Sequence, residues 1–466
     1  MLRSLSLVLT ARDHAQLQRH LFPGDGCEAV ALLLCGRARG AGQSELQRLV
    51  VHRVVPVPYS ECPVRTPERV TWKTHPYLVD LLVGAASKGM ALVKLHSHPT
   101  NLPSFSSTDD ESDRELFDRV FPFLGSHEPH GSAIMLPGGR VFGRWYNEKL
   151  IPTPFSHVSK IGDDIEIWPA TSPAPPGAAS QRTVQVLGEA TFNAMRLLRL
   201  AVVGCSGTGS VVVEQLARLG VGHLILVDPD VVEYKNLNRI VNATNEDAAL
   251  SRPKVEVLAR AVARMGLGTT VEVHHANLLT PHVVRAVSTA DVLFGCMDGV
   301  EGRNALNRVS SAYVQPYFDV GVRIDADGAG GIEDIWGTVH YVQPSGSSLM
   351  ERGVYSQEDL DAEALKRTDL VEYRRRRREG YIRGVPENRP AVISTNALYA
   401  AFAVNELLAR IHPFRWSGND GFAIHRYSLT RDLLIAENDG APSPRLGKLV
   451  GRGDIRPLLD MPELSE

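Results

Sequence analysis

A chain of 466 residues with 43% hydrophobic content is long enough for two or three packed domains and too apolar for global disorder. A formal charge of −3 gives no bulk attraction to nucleic acid or to an anionic membrane, and apolar runs such as AVALLLC are too short to span a bilayer. Five scattered cysteines (Cys27, Cys35, Cys62, Cys205 and Cys296), an odd number without Cys-x-x-Cys spacing, argue against a disulfide framework and for a reducing, cytoplasmic setting. The apolar start SLSLVLT is brief and soon followed by charge, which reads as a strand and not as a signal peptide.

From the N-terminus, the runs SLSLVLT, EAVALLLCG, LQRLVVHRVVPV, ALVKLHSH and GSAIMLPGGRVFGRWY predict strands, with a helix over THPYLVDLLVGAASKG between them. That mixture predicts one α/β domain over residues 1–165. The stretch WPATSPAPPGAASQRT, rich in Pro, Ala, Ser and Gly, is expected to bury little and to act as a linker within 166–185.

The pattern then changes. RLAVVG, HLILVD, TVEVHHAN and ADVLFGCMD read as strands; SVVVEQLARLG and KVEVLARAVARMG read as helices between them. Continuous apolar strands alternating with helices predict a mainly parallel, Rossmann-like sheet over 186–440. A Pro- and Gly-rich tail, 441–466, is expected to be poorly anchored. The five-arginine run within EYRRRRREGYIRG (372–384) reads first as a solvated helix face and second as a dock for an acidic partner. His274 and His275 have no partner that sequence identifies.

Two groups of residues carry chemistry. His96 and His98 stand one residue apart at the end of an apolar strand, so their rings share a face. Zinc accepts imidazole and carboxylate, and Asp109 lies across a turn containing Pro99 and Pro103. Ser106, Ser107, Thr108 and Asp109 read as a helix N-terminus. The pattern His-x-His-Pro, six residues, then Ser-x-x-Asp resembles the JAMM/MPN+ (JAB) zinc metalloproteases, which cleave ubiquitin-like proteins from conjugates or precursors. The resemblance implies zinc held by His96, His98 and Asp109. It also implies Glu28 of CEAVALLLCG as the proton shuttle, with Glu45 and Glu61 as rivals that open no apolar strand. Ser106 would support the tetrahedral oxygen.

The second group starts at GCSGTG, between a strand and a helix, where backbone N–H groups of Gly204, Gly207 and Gly209 can approach a phosphate. The spacing is not that of the dinucleotide fingerprint Gly-x-Gly-x-x-Gly, although Asp228 at the next strand end would suit the ribose of NAD as well. Asn236, Arg239 and Lys254 add polar and cationic groups suited to a triphosphate, and Asp298 can hold magnesium. This set resembles the ThiF/MoeB-type activating enzymes, over roughly 186–430, including STNALYAAFAVNELL (394–408) as the closing helix. The resemblance implies ATP and Mg2+, Asp228 on the ribose, Asn236, Arg239 and Lys254 on phosphates, and adenylation of the C-terminal glycine of a ubiquitin-like modifier. Ser206 and Gly299 depart from the family pattern, where glycine and asparagine are usual.

The expected fold class is therefore α/β throughout, a JAB/MPN domain followed by a ThiF domain. The expected function is bifunctional: zinc peptidase and adenylyltransferase on one modifier. Sulfur-carrier activation and a non-catalytic scaffold remain as alternatives. No cysteine follows Cys296, and VQPSGSSLMERG (342–353) stands where relatives carry cysteines. A separate cysteine-bearing acceptor, such as a ubiquitin-conjugating-type enzyme, is therefore expected. Cys62 is the one internal acceptor considered; the other cysteines read as packing residues. Relatives of the activating domain dimerise, so a homodimer is expected.

Overall fold

The computed structural model describes all residues except 1–4, 41–45, 74–76, 87, 125–126, 172–174, 328, 380–389 and 466. The described residues divide into two compact units, one within 1–174 joined by 312–314 and 449–466, the other within 175–311 and 315–448.

The first unit runs β1 (Ser6–Thr10), α1 (Ala11–Leu21), β2 (Val30–Arg39), β3 (Leu46–Pro56), β4 (Val64–Thr66), β5 (Arg69–Thr71), α2 (Tyr77–Ala86), β6 (Ala91–Ser97), α3 (Ser107–Leu124), β7 (His130–Met135), β8 (Val141–Tyr146), β9 (Pro152–Pro154), β10 (His157–Ile161) and β11 (Ile165–Pro169). Nine strands form one mixed sheet in the order β11-β10-β1-β3-β2-β6-β7-β8-β9, while β4 and β5 make a separate ribbon. Thr10 starts α1 by accepting the Asp13 N–H on its hydroxyl, an ordinary N-cap. β2 and β6 sit at the centre, antiparallel to each other, with Val30 opposite His96. Both faces of β6 are covered, so ALVKLHS is buried at every position and reads as a continuous apolar run until its last residues. Each fully buried Leu or Val there contributes about 1.5–3 kcal/mol. Cys35 lies inside β2 and is fully buried, as a packing residue should be.

The stretch read as a linker is shorter than expected. Its first residues continue β11, which pairs antiparallel with β10, and Trp168 packs against the core; its last residues open a helix at Gln181. The C-terminal tail corrects a second expectation, because it is anchored. Leu449, Leu458, Leu459, Met461 and Leu464 are buried. Gly36 N–H donates to Gly451 O (3.1 Å), Asp454 N–H to Arg37 O (2.8 Å), and Arg39 pairs with Asp454 at 3.3 Å. Five apolar side chains hidden among its Pro and Gly residues outweigh the flexibility that the composition suggests.

The second unit contains α4 (Gln181–Leu197), β12 (Arg199–Val203), α5 (Gly207–Arg218), β13 (His223–Val227), α6 (Asn245–Ala249), α7 (Lys254–Met265), β14 (Thr270–His274), α8 (Pro281–Ser288), β15 (Val292–Gly295), α9 (Val300–Tyr313), β16 (Tyr317–Ala326), β17 (Ile332–Val342), α10 (Gln357–Thr368), α11 (Leu370–Arg378), α12 (Ile393–Ile411), β18 (Ile424–Ser428) and β19 (Leu433–Glu437). Its sheet order is β14-β13-β12-β15-β16-β17-β18-β19. The first five strands are parallel and the last three add antiparallel neighbours. Successive strands leave β12 in opposite directions, so the crevice beyond the carboxyl end of β12 is the switch point where such sheets place ligands.

The arginine run lies on α11, with Arg374–Arg378 all exposed and Tyr373 buried beneath; the run's residues 380–384 lie outside the described residues. His274 and His275 do have partners: Glu272 Oε1 at 2.8 Å and Pro229 O at 2.9 Å. No described helix is long and apolar enough to cross a membrane.

One buried ion group in this unit sets a pH dependence. Glu406 on α12 is 1% exposed, pairs with the equally buried Arg410 at 2.7 Å and His425 at 2.9 Å, and also meets Arg415. Burial opposes its ionisation, yet the hydrogen bonds from His425 and Arg415 and the charge of Arg410 hold it down to about 2, from 4.5. A lowered folded-state value means stability that is present above pH 4.5 and lost as pH falls toward 2. The loss is expected to be about 3 kcal/mol at about 1.4 kcal/mol per pKa unit. Urea unfolding of the wild type and of Glu406→Gln over this range checks it: the gap between them should close as pH falls.

Candidate functional site

In the first unit, β6 brings His96 and His98 to one face and α3 lays Asp109 over them. His96 Nε2 is 2.9 Å from Asp109 Oδ1, His98 Nε2 is 3.4 Å from Asp109 Oδ2, and the two ring nitrogens are 3.1 Å apart. All three residues are buried, and one ligand atom from each falls within 4.8 Å of the others. Two imidazole nitrogens and a carboxylate oxygen converging at this range form a donor set that suits zinc and leaves a fourth position open. His98 Nδ1 is 3.0 Å from Leu102 O, which fixes the proton on Nδ1 and turns Nε2 toward the cluster as an acceptor.

Glu28 stands just before β2, opposite the end of β6, 5% exposed, with Oε1 3.8 Å from His98 Nε2. Burial pushes its carboxyl up to about 7, with the Asp109 charge adding and His98 opposing. That places Glu28 beside the cluster but outside the three-atom set, as a carboxyl able to take and give a proton near neutral pH. Glu61 lies in a short helical turn (Tyr59–Glu61), and Glu45 is outside the described residues. Ser106 caps α3: its N–H and hydroxyl donate to Asp109 Oδ2 at 2.7 and 2.8 Å, and its oxygen accepts the Asp109 N–H at 3.2 Å. In this arrangement the hydroxyl holds Asp109 in place.

Sequence reasoning missed what fixes α3. Asp113, one turn after Asp109, is fully buried and pairs with Lys94 on β6 (2.5 Å) and Arg144 on β8 (2.6 Å); it also accepts from Ser132 and Tyr146 at 2.9 Å each. Lys94 shares the His96–His98 face of β6, so its alternation was a readable signal. Asp113→Ala leaves the buried Lys94 without a carboxylate and Arg144 with Asp110 alone, which is expected to cost about 3–5 kcal/mol in thermal or urea unfolding.

In the second unit, three strand ends supply the other group. The loop after β12 carries Gly204, Gly207 and Gly209. Gly204 has φ +91°, and a Cβ there would lie 2.5 Å from Cys296 O; a Cβ on Gly209 would lie 1.8 Å from Gly204 O. Only glycine permits this tight passage into α5. Asp228, after β13, pins the loop: Cys205 N–H donates to Oδ2 (2.6 Å) and Asp230 N–H to Oδ1 (2.9 Å). A carboxylate has further lone pairs free for hydroxyls. Burial pushes Asp228 up, with Lys254 opposing from 3.8 Å. Lys254 is itself buried and held by Asp230 at 2.7 Å.

The Arg239 side chain reaches the loop, since a Cβ on Gly207 would come within 3.2 Å of Arg239 Cδ. Asn236 is buried and its Oδ1 accepts the Glu233 N–H at 3.1 Å, closing its own turn. Asp298 lies exposed just beyond β15. Asn396 on α12 was not foreseen: its Nδ2 would lie 2.2 Å from a Cβ on Gly207, so it backs the loop directly. Its place directly before the apolar run ALYAAFAV was its signal in the sequence. The loop, the Asp228 carboxylate and the Asp298 carboxylate thus border the switch-point crevice, and these donors fit a nucleotide with a divalent cation.

Comparison with known proteins agrees with this division. Residues 10–143 match the model of the prokaryotic homologs of the JAB domain, and residues 178–425 match the model of the ThiF family. Curated relatives include ubiquitin-like modifier-activating enzyme 5 of Drosophila willistoni, 29% identical over 190 residues, covering 38% of this chain and 44% of that protein. The same enzyme of Caenorhabditis elegans is 32% identical over 164 residues, covering 33% of this chain and 36% of its own. The chain thus spans less than half the length of these relatives. Among solved structures, E. coli MccB with ATP aligns with a TM-score of 0.43 at 18% identity, over 60% of this chain and 75% of that one. From the two family matches, the chain belongs to the ThiF family and carries a JAB-type region ahead of its ThiF region.

Proposed function

We propose that the chain is a bifunctional enzyme of a ubiquitin-like protein pathway, a zinc-dependent peptidase in its JAB-type region and an ATP-dependent adenylyltransferase in its ThiF region. The observation that carries this reading is that both polar constellations are complete on one chain: His96, His98, Asp109 and Glu28 in the first unit, and the glycine loop, Asp228, Arg239, Lys254 and Asp298 in the second.

Zinc held by His96, His98 and Asp109 would supply Lewis-acid polarisation of the scissile carbonyl. The chain's own residues do the rest. Glu28 takes a proton from the attacking water, whose oxygen forms the new bond to the carbonyl carbon, and returns it to the amine as the C–N bond breaks. Ser106 holds Asp109 in register, and would have to turn its hydroxyl from Asp109 to support the oxyanion. In the ThiF region, the modifier's terminal carboxylate attacks the α-phosphorus of ATP and pyrophosphate leaves. Gly204, Gly207 and Gly209 would admit the phosphates to backbone N–H groups, Asn236, Arg239 and Lys254 would face their charge, Asp228 would receive the ribose hydroxyls, and Asp298 would hold Mg2+. Adenylation needs a free carboxylate, which a peptidase on the same chain can expose. The proposed setting is cytoplasmic, in keeping with five free cysteines, and the proposed state is a homodimer.

The acyl group then has to leave for a thiol. Cys205 and Cys296 are poor acceptors, since burial pushes both thiols far up; burial also raises Cys62. A thiol kept protonated is a weak nucleophile. The modifier is therefore passed directly to a separate cysteine-bearing protein, such as a ubiquitin-conjugating-type enzyme. Mixing the protein with its modifier, ATP and magnesium should give no thiol-sensitive adduct on a non-reducing gel until such a protein is added. An adduct mapped to any cysteine of this chain, Cys62 included, would reverse this. ATP–pyrophosphate exchange together with zinc content tests the whole reading against a binding-only scaffold.

A further inference from the structure

Helix α9 starts at Val300, just after Asp298 and Gly299, and the residue in its capping position has no side chain. Gly299 stands there, its carbonyl accepting the Arg303 N–H at 3.4 Å. At such a position a side-chain oxygen normally accepts one of the first helical N–H groups. Here the oxygen comes from another helix. Glu363 on α10, 62 residues after Glu301, accepts the Glu301 N–H on Oε2 at 2.7 Å. Its Oε1 fills the space that a side chain on Gly299 would need, 3.0 Å from where the Cβ would lie. A carboxylate suits the positive end of a helix.

α10 holds Glu301 a second time. Arg367, one turn after Glu363 and so on the same face, pairs with the Glu301 carboxylate at 3.1 Å. The rest of α10 is lightly seated: of its twelve residues, Leu360 is the one buried. The residues just before Asp298 abut the glycine loop. A Cβ on Gly204 would lie 2.5 Å from Cys296 O and 3.2 Å from Met297 Cγ, and one on Gly209 would lie 3.4 Å from Cys296 Cβ. The turn that carries Asp298 is thus held at both ends, by the glycine loop at Cys296 and Met297 and by Glu363 at Gly299 and Glu301.

We propose that Glu363 is a positioning residue of the adenylation site: it supplies from α10 the capping oxygen that Gly299 lacks, and so holds Asp298 where it would meet Mg2+. The proposal rests on the adenylation reading. Without the cap the turn is free to leave this shape, and binding of a metal-bound nucleotide has to restore it, so the lost cap appears as lost affinity. The glycine is the counterpart of the glutamate. With Glu363 in place a side chain at 299 is crowded; with Glu363 removed, an asparagine there can cap the helix from its own chain position.

The test measures binding of the fluorescent analogue mant-ATP to the full-length protein, with Mg2+ and with EDTA, and thermal unfolding checks the fold of each variant. Glu363→Ala is expected to weaken binding in Mg2+ by about tenfold, the scale of one lost helix cap, and to leave binding in EDTA at the wild-type level. Glu363→Gln keeps an acceptor oxygen and should stay close to wild type in both. Adding Gly299→Asn to Glu363→Ala should restore the binding in Mg2+. Should the alanine variant fail to fold, Glu363→Met, which keeps the bulk and lacks the oxygen, carries the same expectation in Mg2+ and in EDTA. Equal losses in Mg2+ and EDTA mark a general folding role and overturn the proposal. A loss that Gly299→Asn does not restore, or wild-type binding in Glu363→Ala, overturns it too. Wild-type protein that binds mant-ATP more tightly with Mg2+ but shows no ATP–pyrophosphate exchange removes adenylation; the Glu363→Ala loss then still upholds Glu363 as a positioning residue of a nucleotide site. Wild-type protein that binds no mant-ATP overturns both.

Discussion

Glu28→Gln is expected to lower cleavage of a ubiquitin-like fusion by about 10²–10⁴-fold, the usual contribution of a positioned acid–base group, while zinc stays bound. The expectation follows from geometry. Glu28 Oε1 sits 3.8 Å from His98 Nε2, close enough to serve the reacting centre but outside the His96–His98–Asp109 set. Gln keeps the shape. The backbone of Glu28 is held independently, its N–H by Thr66 O at 2.8 Å and its carbonyl by Arg65 Nε at 3.0 Å, so the local fold should survive. His98→Ala should instead lose metal and cleavage together. Elemental analysis of the purified proteins, paired with a cleavage assay, separates the two cases. Zinc lost from Glu28→Gln, or cleavage at the wild-type rate, would remove Glu28 from the proposed role.

Asp298→Ala should abolish ATP–pyrophosphate exchange, with a fall of at least about 10²-fold, the scale of losing one electrostatic contact to a transferring group, and should leave cleavage unchanged. Asp298 is exposed at a strand end, so its removal costs little stability. Lys254→Ala should also stop exchange, but less cleanly: Lys254 is 5% exposed and compensates the equally buried Asp228. Loss of that partner combines a folding defect with the chemical one. The two constellations share no residue, so a folded Asp298→Ala protein that had also lost cleavage would disprove their independence.

Much of both candidate sites was legible in the sequence because each residue sits at the end of an element whose periodicity is plain. His96 and His98 close an apolar strand, and period two puts them on one face. Gly204, Asp228 and Asp298 each follow a continuous apolar run, which is how a parallel strand announces its carboxyl end. What could not be read was lateral. Asp113 looks like one more acid on an acidic helix until Lys94, Arg144 and Tyr146, from two separate strands, are brought around it. Asp319, Thr338 and His340 are ordinary strand residues until the β16–β17 register sets Asp319 opposite His340 and puts all three on one face of the sheet. The segment after 448 misled because turn residues dominate its composition while a few leucines decide its placement.

That segment has a consequence for synthesis. Residues 449–464 belong with a unit whose other main part ends by 174, so the ThiF region is a guest nested in the chain of its host. During translation the host's β2 and β3 emerge early, but Val450 and Asp454, which bond to His52 and Arg37, appear only after residues 175–448 have been made. At about 5–20 residues per second that is a wait of roughly 15–60 s. Throughout it, the ribosome-bound host lacks the strip that covers its strands.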